Sequence, residues 1–305
     1  HLIYSMKKIL AISLFLLPLF SSQTKAQVKE GNKIRVIAIF AHPDDADSRM
    51  GGTAALFAKM GAAVKFVSLT NGDAGSYNEG GGPLAMRRRE EARRAGERYG
   101  IEEYQVLDNH DGELIPDLNT RKQVIRAIRE WDADIVVGLR PNDYHPDHRN
   151  AGKLVQDASF MVVVPNVVTD APSLKKNPLF LYMADHFQKP NPFTHDIVIG
   201  IDETIDQKVA GLNEHVSQMY EWLPWTRQLG LDATVPTDSI QRIAWLKERM
   251  EKRSEVSPAQ RAVLKKWYGN KMGNAFKYAE SFEIAEYGSQ PTEADIRRLF
   301  PMLRQ

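Results

Sequence analysis

Two short clusters carry most of the chemistry this chain could perform. His42-Pro43-Asp44-Asp45 follows directly on the apolar run Ile34 to Ala41, and His145-Pro146-Asp147-His148 stands about a hundred residues later. Imidazole and carboxylate at the first and fourth positions of the first cluster can reach one metal ion, while the third-position carboxylate points elsewhere. Catalytic zinc takes three protein ligands and leaves one position open. His42, Asp45 and His148 would complete such a set. Asp44 is then free to accept a proton from the attacking water. His145 would stand on the opposite side of a substrate carbonyl, with Asp147 expected to hold its tautomer or charge. The competing reading for Asp45 alone is a helix N-cap; two such clusters together are harder to explain that way. Sites of two histidines and one aspartate also accept iron or cobalt.

The elements needed to position these residues can be read from the pattern. Short apolar runs at Ile34–Phe40, Val64–Thr70, Tyr104–Leu107, Ile135–Leu139 and Leu179–Met183 read as buried strands. Helical patterns near Gly52–Met60, Arg87–Tyr99, Arg121–Trp131 and Ala151–Val163 fall between them. Alternation of this kind predicts an α/β fold with a mostly parallel sheet and helices on both faces. Both His/Asp clusters would then lie at carboxyl ends of strands, where open α/β sheets build their sites. No Gly-x-Gly-x-x-Gly follows the first strand, which argues against a dinucleotide site. Met50-Gly51-Gly52 reads instead as a place where a helix packs closely. Glu79-Gly80-Gly81-Gly82-Pro83 reads as a loop, and the segment 78–83 as a flap able to close over a ligand.

Composition narrows the class. The 305 residues hold 40 Lys and Arg against 39 Asp and Glu, which gives no reason to expect a nucleic-acid partner or a charged membrane surface. There is no cysteine, so neither a disulfide nor a lipid on an N-terminal cysteine is available. Met6-Lys7-Lys8, the apolar stretch Ile9 to Phe20 and Thr24-Lys25-Ala26 form a secretory-signal pattern, too short for a spanning helix. Residues 1–26 are thus expected to be a leader, with His1 to Ser5 upstream of the initiator. Residues 27–305 would form one exported domain without a stable membrane anchor, periplasmic or extracellular, with a helical portion at about 221–278. The tryptophans spread through that portion read first as core; an exposed one could stack on a sugar.

The chain resembles the PIG-L/LmbE-like family, the N-acetylglucosaminyl-phosphatidylinositol de-N-acetylase superfamily. The likeness rests on Ala41-His42-Pro43-Asp44-Asp45 and His145-Pro146-Asp147-His148. It is extended by Arg88 and Glu91 before Tyr99-Gly100, by Asp111-Gly112, by Lys208 to Gln218, by Ala279-Glu280-Ser281-Phe282 and by Leu299-Phe300-Pro301. The resemblance implies a Rossmann-like fold and zinc-dependent removal of an N-acetyl group, usually from glucosamine in a sugar or glycoconjugate. It implies metal ligands at His42, Asp45 and His148, a base at Asp44, a transition-state stabiliser at His145 and sugar contacts at Arg88 and Asp111. Read without the family, Arg88 lies in a run, Arg87 to Glu91, of the kind that usually forms a solvated helix face. His215 and Gln218, spaced three apart on the later helix, could each reach a pocket rim or simply pack. The sequence departs from the family at Ala46, where Glu is usual; Asp47 comes one position later. The other readings are a hydrolase of the same fold acting on a different amide or ester, and a non-catalytic sugar binder.

Overall fold

The computed structural model describes residues 33–227 and 235–303. The expected leader, residues 1–26, lies outside them. Among the described residues, seven strands form one sheet: β1 (Arg35–Phe40), β2 (Ala63–Thr70), β3 (Glu103–Asn109), β4 (Ile135–Gly138), β5 (Leu179–Met183), β6 (Ile197–Gly200) and β7 (Ala279–Gly288). Their order is β3-β2-β1-β4-β5-β7-β6. β1 to β5 pair in parallel, and β7 runs antiparallel to both β5 and β6. The chain steps outward from β1 to β3, then returns to place β4 on the other side of β1. That reversal opens a crevice at the carboxyl ends of β1 and β4, the place where Rossmann-like sheets bind ligands.

The helices are α1 (Asp45–Lys59), α2 (Gly81–Tyr99), α3 (Leu118–Glu130), α4 (Pro146–Met161), α5 (Ile205–Glu214), α6 (Leu223–Arg227), α7 (Ser239–Ser254), α8 (Pro258–Ala275) and α9 (Glu293–Leu299). α1, α2 and α5 pack together, and α3 packs with α4. The right-handed rule for parallel crossovers assigns these groups, on the two sides of the reversal, to opposite faces. β1, β2 and β4 are almost wholly buried between them, which explains their continuous apolar runs. Among the described residues no helix is long and apolar enough to cross a membrane.

The five expected strands are all present. The helices begin three to seven residues earlier than the apolar periodicity suggests, because their first turns carry few large apolar residues; those of α3 and α4 are held by side-chain caps. Asp117, for instance, accepts from the Thr120 amide at the start of α3. β6 and β7 escaped the reading because both lie outside the βα rhythm, β6 with no helix between it and β5 and β7 after a helical stretch. The expected flap is corrected as well: Gly81, Gly82 and Pro83 form the first turn of α2, so only residues up to 80 belong to the loop.

α1 is broken at Met50, whose backbone leaves the helical region. The Glu280 carboxylate of β7 restarts the helix there, accepting from the Gly52 and Thr53 amides at 3.1 and 2.7 Å. Lys208 pairs with that buried carboxylate at 2.8 Å. A Cβ on Gly52 would come within 2.9 Å of Ile201, so glycine is needed for the close packing seen here.

Candidate active site

The floor of the crevice is built by the two clusters. His42-Pro43-Asp44-Asp45 turns sharply out of β1, with the Asp44 and Asp45 amides donating to the His42 carbonyl at 2.7 and 3.1 Å. The Asp45 carboxylate folds back to accept from the His42 amide at 2.8 Å, which fixes both side chains. His148 arrives from the first turn of α4. His42 Nδ1 lies 3.2 Å from His148 Nε2, and Asp45 lies 3.6 Å from the former and 3.2 Å from the latter. A tetrahedral site with bonds of 2.0–2.1 Å has an edge of ~3.3 Å. The three predicted ligands therefore fit a divalent ion in number, type and spacing. His42 also comes within 4.8 Å of other donors, His145 with His148 in one direction and Asp111 with Asp147 in another. The set of His42, Asp45 and His148 brings two imidazoles and a carboxylate within 3.2–3.6 Å of one another, and both imidazoles are backed by carboxylates.

That backing is specific. His42 Nε2 faces Asp147 at 3.2 Å and Asp111 at 3.0 Å, and His148 Nδ1 faces Asp143 at 3.1 Å, though not along a straight hydrogen bond. Carboxylates behind metal-ligating histidines fix the ring and its tautomer. Asp147 is itself held by the amides of Gly112 and Leu114 at 2.6 and 3.1 Å. Burial pulls both imidazoles down, but the surrounding carboxylates win. His42 sits well above its ordinary value, and His148 is pushed up to about 9. Burial also opposes Asp45, yet the two imidazoles hold it well below the usual carboxylate range. The pocket thus concentrates negative charge where a cation would sit.

The role expected of Asp147 is corrected by this geometry. Its carboxylate turns to His42, not to His145. What His145 receives from residue 147 is the backbone amide, which donates to its Nδ1 at 3.2 Å and makes His145 the N-cap of α4. That bond leaves the proton on Nε2. Burial and the nearby His42 and His148 rings hold His145 below its ordinary value, against the weaker opposing pull of Asp147. Both effects favour the neutral ring, with Nε2–H as the donor.

The wall comes from α2 and the loop before it. Arg88 is 2% exposed, far from the solvated face its neighbours suggested. Its guanidinium donates to Asp44 Oδ1 and to the Gly72 carbonyl, each at 3.1 Å, and lies 3.6 Å from Asp111. Gly72 has φ +71, and a Cβ there would lie 2.4 Å from Arg88 Nη1. Burial raises Asp44 above the ordinary carboxylate value, with Arg88 opposing and the charge of Asp45 adding. Asp111 borders the cavity but has its oxygens on His42 and Arg88, so it orders the site as much as it meets a ligand.

Behind Asp44, the fully buried Asp47 joins Tyr104 at 2.7 Å and His215 at 2.9 Å. This is where the departure at Ala46 leads: the carboxylate one position on is spent in the core. α5 ends at Glu214, and a π-helical turn, Ser217–Trp222, follows. Glu91 accepts from the amide and hydroxyl of Ser217 and fastens that turn to α2. His215 is thereby directed inward, while Gln218 reaches the cavity and donates to the Gly75 carbonyl. The cavity holds about 290 Å³ and is lined by both clusters together with Arg88, Asp111, Tyr144, Gln218, Trp222 and Leu223. Tyr144 is mostly exposed at its mouth.

Sequence reasoning missed Asp143, noted Asp47 only as a departure from the family, and read Trp222 first as core. Asp143 had a signal: it precedes His145 by two and accepts from its amide, an Asx turn. The Asp47–His215 pairing spans 168 residues and had none.

Fold and site together define a sheet-edge hydrolase with a cation pocket, and comparison places it. The model of the PIG-L family, described as GlcNAc-PI de-N-acetylase, matches residues 37–159. The diacetylchitobiose deacetylase of Thermococcus kodakarensis is 30% identical over 209 residues, 65% of this chain and 76% of the relative. A probable N-acetyl-alpha-D-glucosaminyl L-malate deacetylase 2 of Bacillus cereus is 28% identical, covering 69% and 93%. The chain belongs to the PIG-L family of deacetylases. The fold is shared with the N,N'-diacetylchitobiose deacetylase of Pyrococcus horikoshii, at a TM-score of 0.60 and 23% identity over 82% and 83% of the two chains. It is shared equally with the 4-carboxy-2-hydroxymuconate hydratase of Pseudomonas putida, at a TM-score of 0.60 and 22% identity over 86% and 99%. Fold alone therefore does not choose the reaction.

Proposed function

We propose that this protein is a divalent-metal hydrolase, with zinc the first choice of ion, that removes the acetyl group from an N-acetylglucosamine-type sugar or glycoconjugate. The observation that carries the proposal is the convergence of His42, Asp45 and His148 at 3.2–3.6 Å, with Asp44 beside them and turned to Arg88. When bound there, the ion would polarise the amide carbonyl and acidify the attacking water. Asp44, raised by burial and oriented by Arg88, accepts the proton of that water. His145, with its proton on Nε2, donates to the oxygen on which negative charge develops. Asp44 then hands that proton to the leaving nitrogen as the C–N bond breaks, and acetate and an amino sugar leave. Asp147 and Asp143 keep His42 and His148 in place, and Arg88 and Asp111 border the sugar. Export across the inner membrane is part of the proposal and rests on the pattern of residues 6–26; it points to an extracytoplasmic glycan.

Acetate release from N-acetylglucosamine and N,N'-diacetylchitobiose is the test, run beside an N-acetyl amino acid and a 2-hydroxymuconate. Sugar-dependent acetate release is expected. Turnover of the amino acid or the muconate, with both sugars inert, would reject the substrate class. Sequencing the N-terminus of secreted protein should find it near Gln27; an intact leader on cytoplasmic protein would reject export.

A further inference from the structure

Three aromatic rings form a stack that begins in the cavity and ends in solvent. Trp222, on the π-helical turn, lines the cavity beside the catalytic groups. Its ring lies against Trp225 of α6, with centroids 5.2 Å apart and planes 14° from parallel. Trp225 in turn lies against Tyr77, from the loop before α2, at 5.5 Å and 17°. Trp225 is 40% exposed and Tyr77 50%. Large rings left in water forfeit the burial that normally fixes such side chains. Here they are nonetheless held in register by two elements 145 or more residues apart in the chain. Arg87 supplies the fastening, bonded to Glu79 at 3.1 Å on the loop and to Glu221 at 2.6 Å on the turn.

Size and charge identify what such a platform receives. A cavity of about 290 Å³ is at the lower end of ligand pockets, which run from about 300 to 1,000 Å³. One acetamido sugar fills it, so whatever is joined to that sugar must leave the cavity past Trp222. An anionic appendage would need a free cation at the mouth. Among the described residues, Arg88 and the histidines are the only cationic side chains lining the cavity, and Arg88 is already engaged by Asp44 and Asp111. Arg87, the cation beside the stack, is shared among Glu79, Glu91 and Glu221. Trp225 has its two faces on Trp222 and Tyr77, so it holds those outer rings in place for a neutral pyranose, whose C–H face packs on an aromatic ring.

We propose that Trp222, Trp225 and Tyr77 form a subsite for the second, uncharged sugar ring of the substrate, so that the preferred substrate is at least a disaccharide. The assignment rests on the sugar-deacetylase reading of the cavity, and binding can test it apart from turnover. Binding of N-acetylglucosamine and N,N'-diacetylchitobiose should be followed by tryptophan fluorescence and by calorimetry, with acetate release measured in parallel. The wild type should bind the disaccharide more tightly. Trp225→Ala should cut that preference by about tenfold, or about 1.4 kcal/mol. Tyr77→Ala should act in the same direction, and Trp225→Phe, which keeps a ring, should retain most of the preference. Retention of the full preference in folded Trp225→Ala and Tyr77→Ala overturns the subsite. So does a Trp225-dependent preference for N-acetylglucosaminyl L-malate or an octyl glycoside over the disaccharide. Trp225-dependent disaccharide binding without acetate release would uphold the subsite and reject the deacetylase reading instead.

Discussion

The floor and the wall of this site are made in opposite ways. The floor, His42, Asp45 and His148, comes from two clusters four residues long, one locked by the turn that leaves β1 and the other by the first turn of α4. The wall, Arg88, Gln218 and Trp222, is assembled from a helix, a glycine loop and a π-helical turn joined by Glu91, Arg87 and Gly72. A floor written locally persists whenever the strands pair. A wall assembled from distant parts depends on every fastening. The floor should therefore govern metal, and the wall should govern orientation and choice of substrate, with Asp44 standing at the junction of the two.

The largest effect should come from that junction. Asp44→Asn removes the proton acceptor but no ligand, so kcat should fall by about 10²–10⁴-fold while metal content stays at the wild-type level. Parallel loss of metal would move Asp44 into the floor and erase the distinction.

Asp143→Asn acts on the floor from behind. It weakens the hold on His148 Nδ1 and should lower metal affinity by about 10–100-fold, with activity recovered at high metal concentration. Competition with a chelator would measure it. Activity lost beyond rescue by metal would show that Asp143 does more than orient His148.

A smaller effect is expected from the wall. Gly72→Ala puts a side chain at φ +71 and against the Arg88 guanidinium. The left-handed backbone alone should cost about 1–2 kcal/mol in denaturant unfolding. Displacement of Arg88 from Asp44 should lower kcat with metal content unchanged. Normal kcat in this variant would mean that Arg88 does not orient the base.

The smallest expected signal is in the pH profile. Because His145 is held below its ordinary value, it is already neutral at pH 7 and has no proton to lose as pH rises. Its Nε2–H remains a donor throughout. The profile of kcat/KM should therefore show no fall between pH 7 and 9 that His145→Gln abolishes, although the variant is slower overall. An alkaline limb that disappears in the variant would show that His145 works as the imidazolium instead.

The same contrast explains what the sequence made legible. The five parallel strands and the three ligands were readable because each lies in a contiguous run whose residue types have one main use. Helix starts were not, since polar first turns such as that of α3 lack apolar periodicity. In Arg87-Arg88-Arg89 the pattern describes Arg87 and Arg89, which stay on the surface side, while Arg88 alone turns inward. The spacing of Leu84, Ala85, Ala92 and Ala95 does put position 88 on the apolar face, a signal that the charge run hides. Asp147 was given the wrong histidine because chain proximity to His145 was taken for spatial contact, whereas the α4 turn swings the carboxylate toward His42. The tryptophans could not be sorted into core and rim until the fold showed Trp267 buried and Trp225 exposed.

The central claim is that one divalent ion is held by His42, Asp45 and His148 and that deacetylation depends on it. Its most direct test is metal stoichiometry of the purified protein by elemental analysis, read together with acetate release for the wild type, His148→Ala and Asp44→Asn. One ion per chain is expected in the wild type and in Asp44→Asn, with none in His148→Ala, and acetate release in the wild type alone. Stoichiometric metal in His148→Ala, or undiminished acetate release from metal-free wild type, would contradict the account.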